Sequence, residues 1–262
     1  MCWSMGASLA MAGLGVGATG YLIVKGKPAT LWAPMGFFTV MELLQAASYP
    51  VIGQCGHPVN ETLSWASFVH ITFHPLAFSL IYLAFLPSDF ASRIKWPVVA
   101  VSLLAGLATL SMIYPFPGAG ACDPRRMMCG ENVCTYMGNL HLAWQFPLNG
   151  YGNSFRDNGI LWLARDGLIA YQLVVFYIPL LYGAWRLAAY FLVTGPLLAR
   201  LLTDNVDEQP AIWCLLSVAL LVAIITPPLR RFLTVKQEPW WVRRFWPAVT
   251  DGRGQSGPRV AS

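Results

Sequence analysis

Seven times along this chain, a stretch of about twenty residues passes with no more than two charged side chains. The stretches lie at roughly 4–24, 29–52, 62–86, 96–114, 160–184, 187–203 and 210–229. A helix rises about 1.5 Å per residue, so about twenty apolar residues cover the hydrocarbon core of a bilayer. Charged residues make up 11% of the sequence, against about 25% in a soluble domain. The expected fold is therefore all-α: an integral membrane bundle of about seven transmembrane helices. The sixth stretch is short, and Pro196 interrupts it. The first begins almost at Met1 without a basic stretch before it, which predicts a retained helix rather than a cleaved signal.

Lys and Arg sort the loops. Lys25 and Lys27 fill the first loop, Arg93 and Lys95 the third, and Arg186 the fifth. Arg230, Arg231, Lys236, Arg243 and Arg244 follow the last stretch. Basic loops stay in the cytoplasm, so this alternation places the N-terminus outside and the C-terminus inside. Residues 1–236 would form the transmembrane domain with an outer Cys-rich loop at 115–159, and 237–262 a basic cytoplasmic tail, partly disordered. The net charge of +5 then faces anionic lipid and does not call for nucleic acid. A multi-pass protein of a bacterial inner membrane or its equivalent is expected, with the lipid bilayer as its first partner.

With that topology, Cys2, Cys55, Cys122, Cys129, Cys134 and Cys214 all fall on or near the outer face. Gathered thiols in an oxidising compartment predict up to three disulfides, with at least one of Cys122, Cys129 and Cys134 pairing with a distant partner such as Cys55 or Cys2. No C-x-x-C pair favours a redox relay. The loop residues 133–147 are expected to form a short interfacial helix, with Trp144 at the headgroup level and His141 and Gln145 over the mouth of a cavity.

The string "GVGATG" from Gly15 to Gly20 matches a dinucleotide-binding fingerprint, but it lies within an apolar span where no strand precedes it. Gly6, Gly13, Gly17 and Gly20 instead predict a smooth face for close helix contact, including contact with a membrane-protein partner.

Ionisable residues inside a span cost a few kcal/mol and mark functional sites. Glu42, Gln45 and Tyr49 share one face of the second stretch. His70 and His74 lie four apart on the third, and Arg165 and Asp166 open the fifth. Glu42, His70 and His74 would lie at similar depth on adjacent helices. Two imidazoles four apart with a carboxylate are a recurring ligand set for a divalent metal such as Zn or Fe, and His141 or Asp166 would complete the shell or act as general acid or base. Haem would need His70 or His74 paired with His141, because ligands on one helix cannot reach both porphyrin faces. Copper would draw on Met127, Met128, Met137, the loop cysteines and His141. The bland alternative is that the imidazoles pack and hydrogen-bond across helices.

The opening "MCWSMGAS", the "MELLQ" of the second stretch and the "HITFHP" of the third resemble an uncharacterised family of polytopic membrane proteins beginning Met-Cys-Trp-Ser. In span number and membrane histidines the chain is also distantly similar to the alkaline ceramidases and progestin/adiponectin receptors, seven-helix membrane hydrolases that hold zinc with three histidines. It departs from them in the last stretch, "CLLSVALLVAIITPPL", which has no H-x-x-x-H. The leading expectation is a membrane-embedded, metal-dependent enzyme acting on a lipid-soluble small molecule near the outer leaflet. The alternatives are a transporter or receptor using the same Glu/His cluster as a solute or proton site, and a structural subunit.

Overall fold

The computed structural model describes residues 4–151 and 168–245. Helices occupy each of the apolar stretches: α1 Met5–Val24, α2 Ala29–Ser48, α3 Pro58–Thr72 continued by α4 His74–Ala84, and α5 Ser88–Leu110. After the outer loop come α6 Ile169–Leu181, α7 at 185–202 and α8 Gln209–Ile224, then the short α9 Pro227–Leu233 and α10 Trp240–Phe245. Among the described residues, three of these are long and apolar enough to cross a membrane: α1, α3–α4 taken as one, and α5. The pair α8–α9, bent by 95°, makes a fourth if it is counted as one span.

Burial distinguishes the helices. In its most apolar window α3–α4 is 67% buried, whereas α1 is 22% and α5 is 28% buried. The first is therefore central, and the other two present Leu9, Leu14, Val16, Leu104 and Leu107 outward. The interior mixes a core of Phe38, Phe68, Phe78, Tyr82 and Phe191 with fully buried Glu42, Gln45, Ser64, Ser67 and His74. A greasy exterior around a polar-spotted interior is the reverse of a soluble domain.

The connections meet at two ends. At one, Val235 N–H donates to Phe85 O, Arg93 pairs with Glu238 at 2.6 Å, and Trp241 Nε1 donates to Leu181 O. The other end carries a cap. There Gly53 N–H donates to Thr135 O, and the Asn149 amide reaches Ser111 O and Tyr114 O.

The cap corrects two expectations. Residues 133–147 form no interfacial helix: β1 Cys134–Met137 pairs antiparallel with β2 Leu142–Gln145, with Thr135 opposite Trp144. The segment is rich in β-formers (Val133, Thr135, Tyr136, Trp144, Phe146), and Gly138-Asn139 opens the turn between the strands. Trp144, expected at the headgroup level, is fully buried. The fold is thus helical with one small hairpin.

Within the chain the expected glycine face of α1 packs against little: among the described residues nothing lies within 4 Å of where a Cβ on Gly13, Gly17 or Gly20 would sit, and Gly6 meets only Ser4. Contact runs through Gly15 instead, where a Cβ would fall 2.1 Å from Thr39 Oγ1. The helix is unbroken through "GVGATG", so no nucleotide loop exists there.

Two disulfides fasten the cap, Cys55–Cys134 and Cys122–Cys129, and Cys214 is free and buried. Cys2 lies outside the described residues. Thiol counting on unreduced, denatured Cys2→Ser protein should find a single free group, Cys214, that labels slowly in the folded state. Cys55→Ser should expose a second thiol and cost about 2–4 kcal/mol of stability. Three or more free thiols in the Cys2→Ser protein would overturn the pairing.

Candidate functional site

The helix bearing the histidines breaks between them. Pro75 has no N–H, and its ring crowds the carbonyl four residues back, so α3 ends at Thr72 and α4 begins at His74. His70 closes one helix and His74 opens the next. Their rings meet: His70 Nδ1 lies 3.2 Å from His74 Nε2, His70 Nε2 lies 2.9 Å from Phe37 O, and His74 Nδ1 lies 3.3 Å from the Tyr171 hydroxyl. The Phe37 carbonyl can only accept, which fixes every proton in the series. His70 carries its hydrogen on Nε2, and its Nδ1 accepts from His74 Nε2–H. His74 Nδ1 then accepts from Tyr171 O–H. Phe37 stacks on the His70 ring at 3.9 Å, and Phe38 leans on His74 at 4.9 Å. All four imidazole nitrogens are engaged.

A second polar cluster lies under the cap. Gln45 Nε2 donates to Ala211 O at 3.4 Å, which turns its Oε1 toward Ser8 Oγ–H at 3.4 Å and His141 Nε2–H at 2.7 Å. His141 Nδ1 accepts from the Tyr49 hydroxyl at 2.7 Å. His141 does not hang over a cavity mouth as expected; it is fully buried, because the hairpin presses it onto α2. Gln145 turns to Asp207 at 3.4 Å instead. Glu42, one helical turn from Gln45, is fully buried with neither carboxyl oxygen hydrogen-bonded. The Ser8 hydroxyl donates to Gln45 rather than to Glu42.

Glu42, His70 and His74 are therefore not drawn into one ligand sphere. Among the described residues, no three of His, Cys, Asp and Glu converge on a point that could hold a metal ion. The donor chemistry agrees, because each imidazole lone pair already accepts a hydrogen bond: His70 Nδ1 from His74 Nε2–H, His74 Nδ1 from the Tyr171 hydroxyl and His141 Nδ1 from the Tyr49 hydroxyl. Asp166 and Arg165 lie outside the described residues.

What the histidine series does reach is a cleft. Tyr171 lines it with His74, Gln172, Arg200, Gln209 and Cys214, over a floor that includes Phe176 and Trp213. About 50 Å³ is free, enough for one small polar group or a few waters. Three helix irregularities converge on it. One is the α3–α4 break at His74. The others are wide π-helical turns at Leu173–Tyr177 of α6 and Val193–Leu197 of α7. Prolines account for both turns. Pro179 leaves Val175 O without its helical donor, and the Tyr82 hydroxyl takes that carbonyl at 2.7 Å; Pro196 lies inside the second turn. Gly195 lets the cleft close tightly, since a Cβ there would meet Trp213 Nε1 at 2.4 Å. Two residues of this lining hold a buried polar atom with no hydrogen-bond partner among the described residues: Gln172 Oε1, an acceptor, and Trp213 Nε1, a donor.

Sequence reasoning missed Tyr171, Arg200 and Gln209 as a group. Their signal is the prolines at 75, 179, 196 and 210, which mark where apolar helices break. It also missed Asp207 and Glu208, whose loop fixes the cap. Glu208 accepts from the backbone N–H groups of Asn139, Leu140 and His141 and from Thr203 Oγ1. Asp207 accepts from Met128 N–H and from the Tyr136 hydroxyl, whose pKa burial and the neighbouring carboxylate push up to about 12.

Residues 6–234 match the family of unknown function DUF5765, and the chain belongs to that family. No curated protein and no solved structure matches it.

Burial pushes the His141 imidazole down to about 4 from an ordinary 6.5. Between these values the unfolded cap binds a proton that the folded cap refuses. The stabilising contribution is complete above pH 6.5 and is lost as pH falls toward 4, by about 3 kcal/mol in full. Thermal melts should show the midpoint dropping from pH 6.5 to pH 5, and His141→Asn should flatten that slope. A slope unchanged in the variant would assign the effect to another group.

Proposed function

We propose that the chain is a seven-span integral membrane protein whose cleft binds a small polar solute and exchanges protons with it through Tyr171, His74 and His70. The observation that carries this reading is that two residues bordering one cleft, Gln172 and Trp213, each hold a buried polar atom, Oε1 and Nε1, without a partner among the described residues, where three broken helices meet. A buried donor or acceptor left unmade costs about 1–3 kcal/mol, so two in residues that border one space favour an occupant that both donates and accepts once the side chains turn to it. Membrane carriers build such sites from interrupted helices.

The residues would share the work as follows. Gln172 Oε1 accepts from the solute, Trp213 Nε1–H and the Arg200 guanidinium donate to it, and Phe176 covers its apolar side. Tyr171 takes a proton from the solute on its oxygen as its own passes to His74 Nδ1. The Nε2 proton of His74 then moves to His70 Nδ1, and each step leaves the rings in place. The cluster of Glu42, Gln45 and His141 lies toward the cap, on the far side of Cys214.

A metal-dependent enzyme acting on a lipid-soluble substrate, with Glu42, His70 and His74 as ligands, would need the His70–His74 and His74–Tyr171 hydrogen bonds to break. A solute or proton site uses them as they stand. Helices in every apolar stretch and loops that alternate between two ends support seven spans, N-terminus outside and basic tail in the cytoplasm. The six-residue helix Trp240–Phe245 begins that tail.

A thermal-shift screen of the detergent-purified protein against a panel of small hydroxy acids, amides and carboxylates tests the cleft. One class should raise the melting temperature, with about 2.7 kcal/mol of stabilisation at a hundredfold excess over Kd. Gln172→Leu and Trp213→Phe should melt normally without ligand and show no shift. Stoichiometric zinc or iron in the purified protein, lost on His70→Ala, would overturn the reading in favour of the enzyme. For topology, reporters fused after Lys27 and after Arg244 should both read cytoplasm, and a tag ahead of Trp3 should read outside. Both chain ends on one side would remove the seven-span arrangement.

A further inference from the structure

The end of the molecule away from the cap carries two adjoining hollows that the cleft does not use. One, of about 290 Å³, lies at the α6–α7 turn and is bordered by Arg186, Thr234 and Lys236. The other, of about 330 Å³, is a trough between α7 and α9 walled by Tyr190, Val193, Leu229 and Phe232. Trp185, Arg186 and Leu233 border both, so the two form one continuous feature with a basic head and an apolar tail.

Its charge is of one sign. No Asp or Glu is among the residues bordering either hollow, and nearby Glu238 is paired with Arg93 at 2.6 Å. Arg186 is held in position before any ligand arrives. Its guanidinium lies 5.3 Å from the centres of both the Trp185 and Phe232 rings and donates one hydrogen bond to Phe232 O at 3.3 Å. That bond uses one of five N–H donors. The trough follows α7 from Trp185 to Val193, about 12 Å at helical rise. Trp185, which borders both hollows, is exposed and of the residue type that favours the headgroup layer. The 95° bend after α8 lays α9 across this end, so that Leu229 and Phe232 close the trough.

We propose that this feature binds one anionic phospholipid, with its phosphate against Arg186 and Lys236 and an acyl chain in the trough between α7 and α9. A soluble anion would have no use for the trough. A zwitterionic lipid would bring an ammonium group to a head whose charged lining residues, Arg186 and Lys236, are both cations, and a basic pocket between helices on the inner side is the known chemistry of anionic headgroup sites. The assignment rests on the membrane placement proposed above and is independent of the solute cleft.

The test is native mass spectrometry of the full-length protein in detergent, titrated with phosphatidylglycerol or phosphatidylcholine of identical acyl chains. Phosphatidylglycerol should bind one equivalent about tenfold more tightly. Arg186→Gln and, separately, Lys236→Gln should each remove most of that preference. Arg231→Gln, which lowers the net charge equally but borders neither hollow, should keep it. Lys236 is exposed, so its variant tests the site even if Arg186→Gln fails to fold. Equal binding of the two lipids, or equal losses in all three variants, would overturn the proposal. So would displacement of the lipid by millimolar inorganic phosphate, which would reveal an anion pocket indifferent to the chain. None of these outcomes bears on the cleft, because Gln172 and Trp213 border neither hollow.

Discussion

The Glu208 carboxylate receives the successive backbone N–H groups of Asn139, Leu140 and His141, and Thr203 Oγ1 donates to it as well. A buried carboxylate is costly unless its lone pairs are filled, and here four donors fill them. The consequence reaches across the bundle. The three amides belong to the hairpin turn, so Glu208 fixes that turn over α2 and α8. Thus fixed, the turn delivers His141 to Gln45 Oε1, and Gln45 in turn ties Ser8 of α1 to the Ala211 carbonyl of α8. The Cys55–Cys134 bridge holds the other side of the hairpin to the α2–α3 connection. Remove the carboxylate, and three backbone donors of the turn lose their shared acceptor, the innermost of them, at His141, in a buried place.

The second constraint is proline within apolar helices. Each such proline leaves a carbonyl without its helical donor, and in an apolar interior that carbonyl must find another. The Tyr82 hydroxyl supplies one for Val175, which keeps the wide turn in α6 stable despite the lost helical bond. Pro75 and Pro196 likewise mark a helix break and a wide turn, so that irregular helix segments meet at one cleft. Side chains there point into the bundle at angles a regular helix would not allow, and the cleft is the space they enclose.

How far the sequence could be read follows from these two constraints. Hydropathy located the helices, because apolar periodicity is a local property that survives packing. It also anticipated a distant partner for one of the loop cysteines, and Cys134 has one in Cys55. It misread 133–147, where a pattern compatible with either helix or strand was resolved by Glu208, a residue 61 positions beyond the segment's end and absent from any local pattern. The histidine spacing was legible, but its meaning was not. Four residues apart on an unbroken helix, two imidazoles can face a common ligand. The break at Phe73 turns His74 so that it meets His70 ring to ring, and the deciding partners, Phe37 O and Tyr171, come from other helices. The glycines of α1 were read as one contact face, yet only Gly15 has a neighbour that demands it.

Glu42 belongs with the cap cluster, one turn from Gln45, and is fully buried with neither carboxyl oxygen hydrogen-bonded among the described residues. A buried carboxyl without partners is costly, so the groups packed around it decide whether the bundle closes over it. The hairpin turn that Glu208 anchors brings His141 onto Gln45, and Gln45 draws in Ser8 of α1 and Ala211 of α8 around the same stretch of α2. The disulfides join Cys55 to Cys134 and Cys122 to Cys129, whereas the hold of the hairpin on Gln45 is the His141 hydrogen bond. Seating of the cap over α2 therefore depends on hydrogen bonds whose donors are set in place by one carboxylate, Glu208.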